Sequence, residues 1–185
     1  MNMQIRQASN AESKFALQRL QERLLSLALV HENLYKDDYL TRVEASTLLR
    51  EIVDQLLTVG LAAGTNVEVK QYYDQISLDP DDAAPLTLLT AEAVTNALKY
   101  VAQPVSDSAF INIRLTQDAP ERATLSVENT VGSHPEASST GLGARLITAF
   151  ARQLNGQVGT SELDGIYQMT FSFPVPLHGK PVKDY

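Results

Sequence analysis

Glu92, Asn96 and Lys99 recur at steps of four and three along the stretch from Leu88 to Tyr100. On a helix that spacing sets all three on one face. A carboxylate, an amide and an ammonium on one ridge suit a metal-bound triphosphate. The Asn96 oxygen would sit on Mg²⁺, Lys99 on a phosphate, and Glu92 would orient water or a proton. The same trio also suits the solvated face of an amphipathic helix, and spacing alone does not separate the two. Farther on, Gly141-Leu142-Gly143 opens a helix after a polar loop. The free N–H groups and dipole of such a helix start can receive phosphate, although helix starts and loops are Gly-rich for other reasons as well. Leu125 to Gly132 reads as a strand that ends in the carboxylate of Glu128 and then turns, which in isolation is an ordinary strand end.

These residues need elements to hold them. Residues 11–35 form a periodic helix, with Leu17, Leu20, Leu24, Leu27, His31 and Leu34 on a heptad seam. Lys36-Asp37-Asp38 breaks it. A second helix carries Ala45, Leu48, Leu49, Ile52, Val53, Leu56 and Leu57 on one side, with Thr41 and Glu44 at capping-box spacing and Gly60 and Gly64 at its exit. Two such helices predict a hairpin whose wide apolar face is covered by a second copy, as a four-helix bundle. Beyond Gly64 the pattern predicts a strand over Val67–Leu78 and a helix over Ala84–Val101. Strands over Ala109–Leu115 and Ala123–Asn129 follow, then a loop from Gly132 to Thr140 and a helix over Leu142–Leu154. Asn155-Gly156 ends that helix, and a last hairpin, Gln157–Glu162 with Ile166–Val175, turns at Leu163-Asp164-Gly165. Such an order predicts an α+β protein: a helical hairpin, then an α/β sandwich with helices on one face of a mixed sheet.

Composition narrows the classes. The chain has no Cys, so disulfides and thiolate metal sites are excluded. A net charge of −7 argues against non-specific nucleic-acid binding. The longest apolar run, Leu24 to Val30, falls far short of the ~20 residues a membrane helix needs, and residues 1–30 do not read as a signal peptide, so none is expected. A cytoplasmic protein without membrane contact is expected.

In order and spacing, the three polar segments resemble the Bergerat-type ATP-binding domain of sensor histidine kinases. Glu92, Asn96, Ala97 and Lys99 match its N box, E-x-x-x-N-A-x-K. Gly141 to Leu146 is similar to its glycine box, and Ala151 to Val158 to the helix-to-strand turn that follows. Upstream, Arg23 to Tyr35 resembles the R-x-x-A-x-A-L-V-H-E-x-L-Y segment of a histidine-kinase subfamily. The resemblance implies dimerisation helices over residues 1–62, an ATP-binding domain over 63–176 and a loose tail over 177–185. It also implies ATP and Mg²⁺ as cofactors, held by Asn96, Glu128, Gly132, Gly141 and Gly143, with Glu92 and Lys99 catalytic. The implied partners are a response-regulator receiver domain and a second copy, paired through helices 11–60.

Two departures stand out. The subfamily's phosphoacceptor lies in an H-R-x-K-N element that this chain lacks; Met1 to Gln7 resembles the end of its helix, as expected either of a chain cut just downstream or of a protein that has lost its acceptor. His31, on the seam of the second hairpin helix, is expected to be structural or orienting and not a replacement acceptor, and His134 and His178 are incidental. The adenine box, D-x-G-x-G in the family, corresponds to Glu128-Asn129-Thr130-Val131-Gly132. Glu128 in place of Asp moves the carboxylate by about 1.5 Å, one C–C bond. A buried polar contact that misses its partner loses on the order of 1–3 kcal/mol. Thr130 adds a branched side chain where Gly gave room. Three functions stay open: an ATP-dependent kinase core; an ATP-deficient phosphotransferase, phosphatase or receiver-docking adaptor; and a dimerisation module without phosphoryl chemistry.

Overall fold

A computed structural model describes residues 42–61, 66–102, 108–132 and 142–175. The expected helix over 11–35, with His31, lies outside them, as do Gly141, His134, His178 and the tail. Ten elements follow in order: β1 (Val43–Glu44), α1 (Ala45–Gly60), β2 (Val67–Tyr73), β3 (Ser77–Leu78), α2 (Pro80–Tyr100), β4 (Ala109–Ala119), β5 (Arg122–Thr130), α3 (Leu142–Gln153), β6 (Gln157–Leu163) and β7 (Ile166–Pro174). The main sheet has the order β2-β4-β5-β7-β6. Its β2–β4 pair is parallel and the others are antiparallel. The mixed sheet with its helices is thus the α+β arrangement expected.

One face of the sheet is apolar. Ile111, Ile113 and Leu115 of β4, Ala123, Leu125 and Val127 of β5, and Met169, Phe171 and Phe173 of β7 are all buried. They share one core with Leu86, Leu89, Val94 and Ala97 of α2 and with Ile147 and Ala151 of α3. The alternate residues, among them Asn112, Ser126 and Gln168, lie on the open face and are only half-buried.

Three boundaries differ from the sequence expectation. The strand expected over Val67–Leu78 stops at Tyr73, where the Asp74 carboxylate accepts from Gln117 N at 2.8 Å and turns the chain off the sheet. Its last two residues form β3, paired with β1 in a separate two-stranded sheet. The helix expected from Ala84 starts at Pro80, because Asp79 is its N-cap and a proline in the first turn suits a helix whose first N–H groups have no partner. The entry to α1 is also simpler than a capping box: Glu44 is the N-cap, and its Oε1 accepts from Ser46 Oγ at 3.0 Å and Ile76 N at 2.9 Å.

That last bond ties α1 to the α/β unit. Arg42 donates to Ser77 O at 2.8 Å, Ala45 N donates to Ile76 O at 2.8 Å, and Leu48, Leu49, Ile52 and Val53 bury their side chains in the sheet's own core. The apolar face expected to pair within a helical hairpin is therefore covered by α2.

The return from α3 into β6 rests on two residues with special backbones. Asn155 takes φ +52°, Asn155 N donates to Arg152 O at 3.1 Å and Gly156 N to Ala151 O at 2.8 Å. These are the paired bonds of a Schellman cap. A Cβ on Gly156 would meet the Phe171 ring and stand 2.7 Å from Ser172 O, so only Gly fits. At the β6–β7 turn, Asp164 and Gly165 both have positive φ, +52° and +74°, as a type I′ hairpin requires.

Candidate functional site

Two elements end side by side. Val101, just past α2, bridges to Val131, just past β5, and Ala102 N donates to Thr130 O at 3.1 Å. Val131 N donates to Gly165 O at 2.8 Å, which fastens the β6–β7 turn to the same place. The C-terminal half of α2, the end of β5 and this turn therefore meet at one end of the sheet. Because α3 reverses directly into β6, its first turn, with Gly143, points toward that end as well.

Most of the residues read from the sequence come together here. Asn96 is half-buried on α2, and no described residue hydrogen-bonds its side chain. Glu92, one turn earlier, is half-buried and already engaged by a neighbouring group. Lys99 is exposed; its Nζ donates to Tyr100 OH at 2.7 Å and lies 4.4 Å from that ring's centre. Gly132 packs against α2's exit, where an added Cβ would come 3.3 Å from Ala102 Cβ. Its φ is not positive, so close approach and not backbone conformation favours Gly there.

Glu128 does not join them. It pairs in register with Asn112 and Gln168, accepts from both side chains, and so stands on the open face of the sheet. Strand side chains alternate, so Glu128 and the buried Val127 project to opposite faces. The expectation of Glu128 as the base-facing carboxylate is corrected on that ground. Thr130 shares Glu128's parity. It is 2% exposed, and its Oγ1 accepts from Phe110 N at 3.1 Å, so it fastens the strand end to β4.

Asn129 is the residue the sequence reading missed. It follows Leu125 and Val127 in alternation, faces the helices, and is 2% exposed. Its Nδ2 donates to Thr130 O at 3.0 Å. That bond fixes the amide's orientation, since the flipped form would set oxygen against oxygen. Among the described residues nothing donates to Oδ1. The other buried polar side chains are satisfied: Thr87 and Thr90 donate to Ala83 O and Leu86 O, and Thr130 accepts from Phe110. A buried acceptor without a donor is costly and calls for an explanation. An incoming amino group supplies one, and adenine carries such a group. The signal was present in the sequence, in the shared parity of Leu125, Val127 and Asn129.

Tyr167 of β7 pairs in register with Asn129. Burial raises its phenol pKa, and the charges of Glu162 and Tyr100 add to the rise. Among the described residues no group of three or more His, Cys, Asp or Glu side chains could hold a metal by itself. No helix among them is long and apolar enough to cross a membrane.

Comparisons with known proteins bear on the fold. Residues 1–59 match the HisKA_2 family model, described as histidine kinase. The chain is 26% identical over 166 residues to the sensor histidine kinase PdtaS of Mycobacterium tuberculosis, covering 86% of this chain but only 32% of that protein. It therefore spans about a third of the length of the curated relatives it matches. The histidine kinase domain of the Erythrobacter litoralis EL346 blue-light activated histidine kinase superposes with a TM-score of 0.73 at 17% identity, over 84% of this chain and 74% of that one. Full-length ShkA in complex with AMPPNP gives 0.58 at 19% identity, over 94% of this chain and 40% of that one. The histidine-kinase family model thus matches the first third of the chain, the mycobacterial sensor histidine kinases are similar over most of it, and the solved structures share its fold.

Proposed function

We propose that this chain is the signalling core of a two-component sensor histidine kinase. It binds ATP with Mg²⁺ and supports phosphoryl transfer to a protein histidine and then to a response-regulator receiver domain. The observation that carries this reading is the buried Oδ1 of Asn129, to which no described residue donates, on the helix side of β5 at the end where α2 presents Asn96. ATP, when bound, supplies the phosphoryl group. Asn129 would accept a hydrogen bond from the base's amino group, and Asn96 would offer its amide oxygen to Mg²⁺, whose charge would offset that of the phosphates. Lys99, released from Tyr100, neutralises phosphate charge, and Glu92 orients the acceptor's proton. Gly141 and Gly143 let the start of α3 approach the phosphates. We place this segment in the cytoplasm, with no nucleic acid and no membrane contact of its own.

The domain boundary follows from α1. Because its apolar face is covered by α2, we place the start of the ATP-binding unit near Arg42 instead of residue 63, and assign homodimer contact to the segment before it.

A second reading keeps the fold but not the nucleotide: a phosphotransferase, phosphatase or receiver-docking adaptor. One observation favours it. The base-facing group is a neutral amide, and a charge-assisted hydrogen bond is roughly twice as strong as a neutral one. Calorimetric titration with Mg-ATP separates the two. Micromolar binding that Asn96→Ala abolishes is the expected result; no heat at millimolar nucleotide would sink the kinase reading and leave the adaptor.

A further inference from the structure

Asn129 is sealed by its neighbours, and the seal is uneven. Along β5, Val127 precedes it on the same face at 2% exposure. Its register partner on β4, Ile111, is at 0%. Both belong to the central core and cannot swing without opening it. The register partner on β7 is Tyr167, which is only half-buried and packs at the core's margin. Directly paired residues on antiparallel strands hold their Cβ atoms about 4.5–5.5 Å apart on one face. Tyr167 is therefore the neighbour of Asn129 across the strands on that face, and of these three flanks it is the one least anchored in the core.

We propose that Tyr167 roofs the Asn129 acceptor, and that the 6-amino group of an adenine base reaches Oδ1 by displacing this ring. The inference rests on the nucleotide-binding reading above and adds to it the residue that sets affinity. The closed site must open before it binds, so the apparent affinity is lowered by the fraction of molecules that are open. A small residue at 167 leaves the acceptor permanently accessible. Selectivity follows from the same atom. Guanine presents a carbonyl oxygen where adenine presents its amino group, and two acceptors repel.

The test is calorimetric titration of the full chain with Mg-ATP and Mg-GTP, for the wild type, Tyr167→Ala and Tyr167→Thr. The threonine variant keeps a strand-favouring side chain, so a folding defect of the alanine variant does not end the test. Both variants are expected to bind Mg-ATP at least about tenfold more tightly, roughly 1.4 kcal/mol. The gain for Mg-GTP is expected to be smaller, and Asn129→Ala in the Tyr167→Thr background removes most of the ATP gain. Wild-type binding with equal or weaker binding by both variants overturns the roof and leaves the nucleotide reading intact. No binding by any of the proteins at millimolar ATP overturns the nucleotide reading, and this inference with it.

Discussion

The two faces of the central strands do different work, and adjacent residues fall on opposite sides of that division. On β5, Val127 and Asn129 face the helices while Glu128, between them, looks to solvent with Asn112 and Gln168. On β7, Phe171 is fully buried and stacks on Phe173 at 5.0 Å, while Ser172 accepts a bond from Arg122 at 3.3 Å on the open face. A change of one position in strand parity exchanges a core residue for a surface one, and a ligand-reading residue for a bystander.

The contrast is sharpest in stability. Phe171→Ala removes a stacked ring from a packed core and is expected to cost about 3–5 kcal/mol in urea unfolding. Its neighbour's replacement, Ser172→Ala, is expected to stay within about 0.5 kcal/mol, as for surface positions generally. Comparable losses from both would mean that the open face is covered in solution. Gly156→Ala attacks the same ring from above. Its added Cβ meets the Phe171 ring and the Ser172 carbonyl, and overpacking of this kind costs about 1–3 kcal/mol. An unchanged unfolding midpoint for this variant would show that α3 can lift away from β7.

Much of this was legible in the sequence for reasons that are local. Asp164-Gly165 and Asn155-Gly156 announce the turns because few residues tolerate positive φ. The periodicity of α3 announces a helix because it buries one side, with Ile147 and Ala151, whereas α2 is buried on more than one side. What periodicity cannot say is what covers that side: α1 reads as half of a hairpin, yet Leu49, Ile52 and Val53 sit in the sheet's core. Nor does a motif's best match by chemistry respect parity. Glu128 offered a carboxylate where the family has one, whereas the sheet presents Asn129 to the helices. The break at Asp74 depends on a bond to Gln117, a residue far along the chain, and no local pattern marks it.

The binding counterpart of the contrast is smaller. Asn129→Ala is expected to weaken Mg-ATP binding about tenfold, the loss of one hydrogen bond of roughly 1.4 kcal/mol, whereas Glu128→Gln leaves it unchanged. If Glu128→Gln weakens binding and Asn129→Ala does not, the assignment of faces is wrong.

Tyr72 and Tyr73 carry the contrast into pH dependence. Tyr72 lies on the open face opposite Arg114, and Tyr73 on the helix side opposite Leu115. Both phenols are raised above the ordinary 10.0, but by different causes: the hydrogen bond and charge of Asp74 for Tyr72, and burial first for Tyr73, partly offset by Arg50. A group whose pKa is higher folded than unfolded binds more protons in the folded state. Its contribution is therefore complete below the unfolded value of 10.0 and is lost as pH rises beyond it. Thermal melts are expected to show stability falling above about pH 10, less steeply in Tyr73→Phe, which has no proton to lose. Tyr72→Phe is expected to change that slope less, since water screens an exposed phenol from its neighbour's charge. Equal slopes for the wild type and Tyr73→Phe would mean that the phenol is solvated, and that the helix-side face at β2 is open at its end.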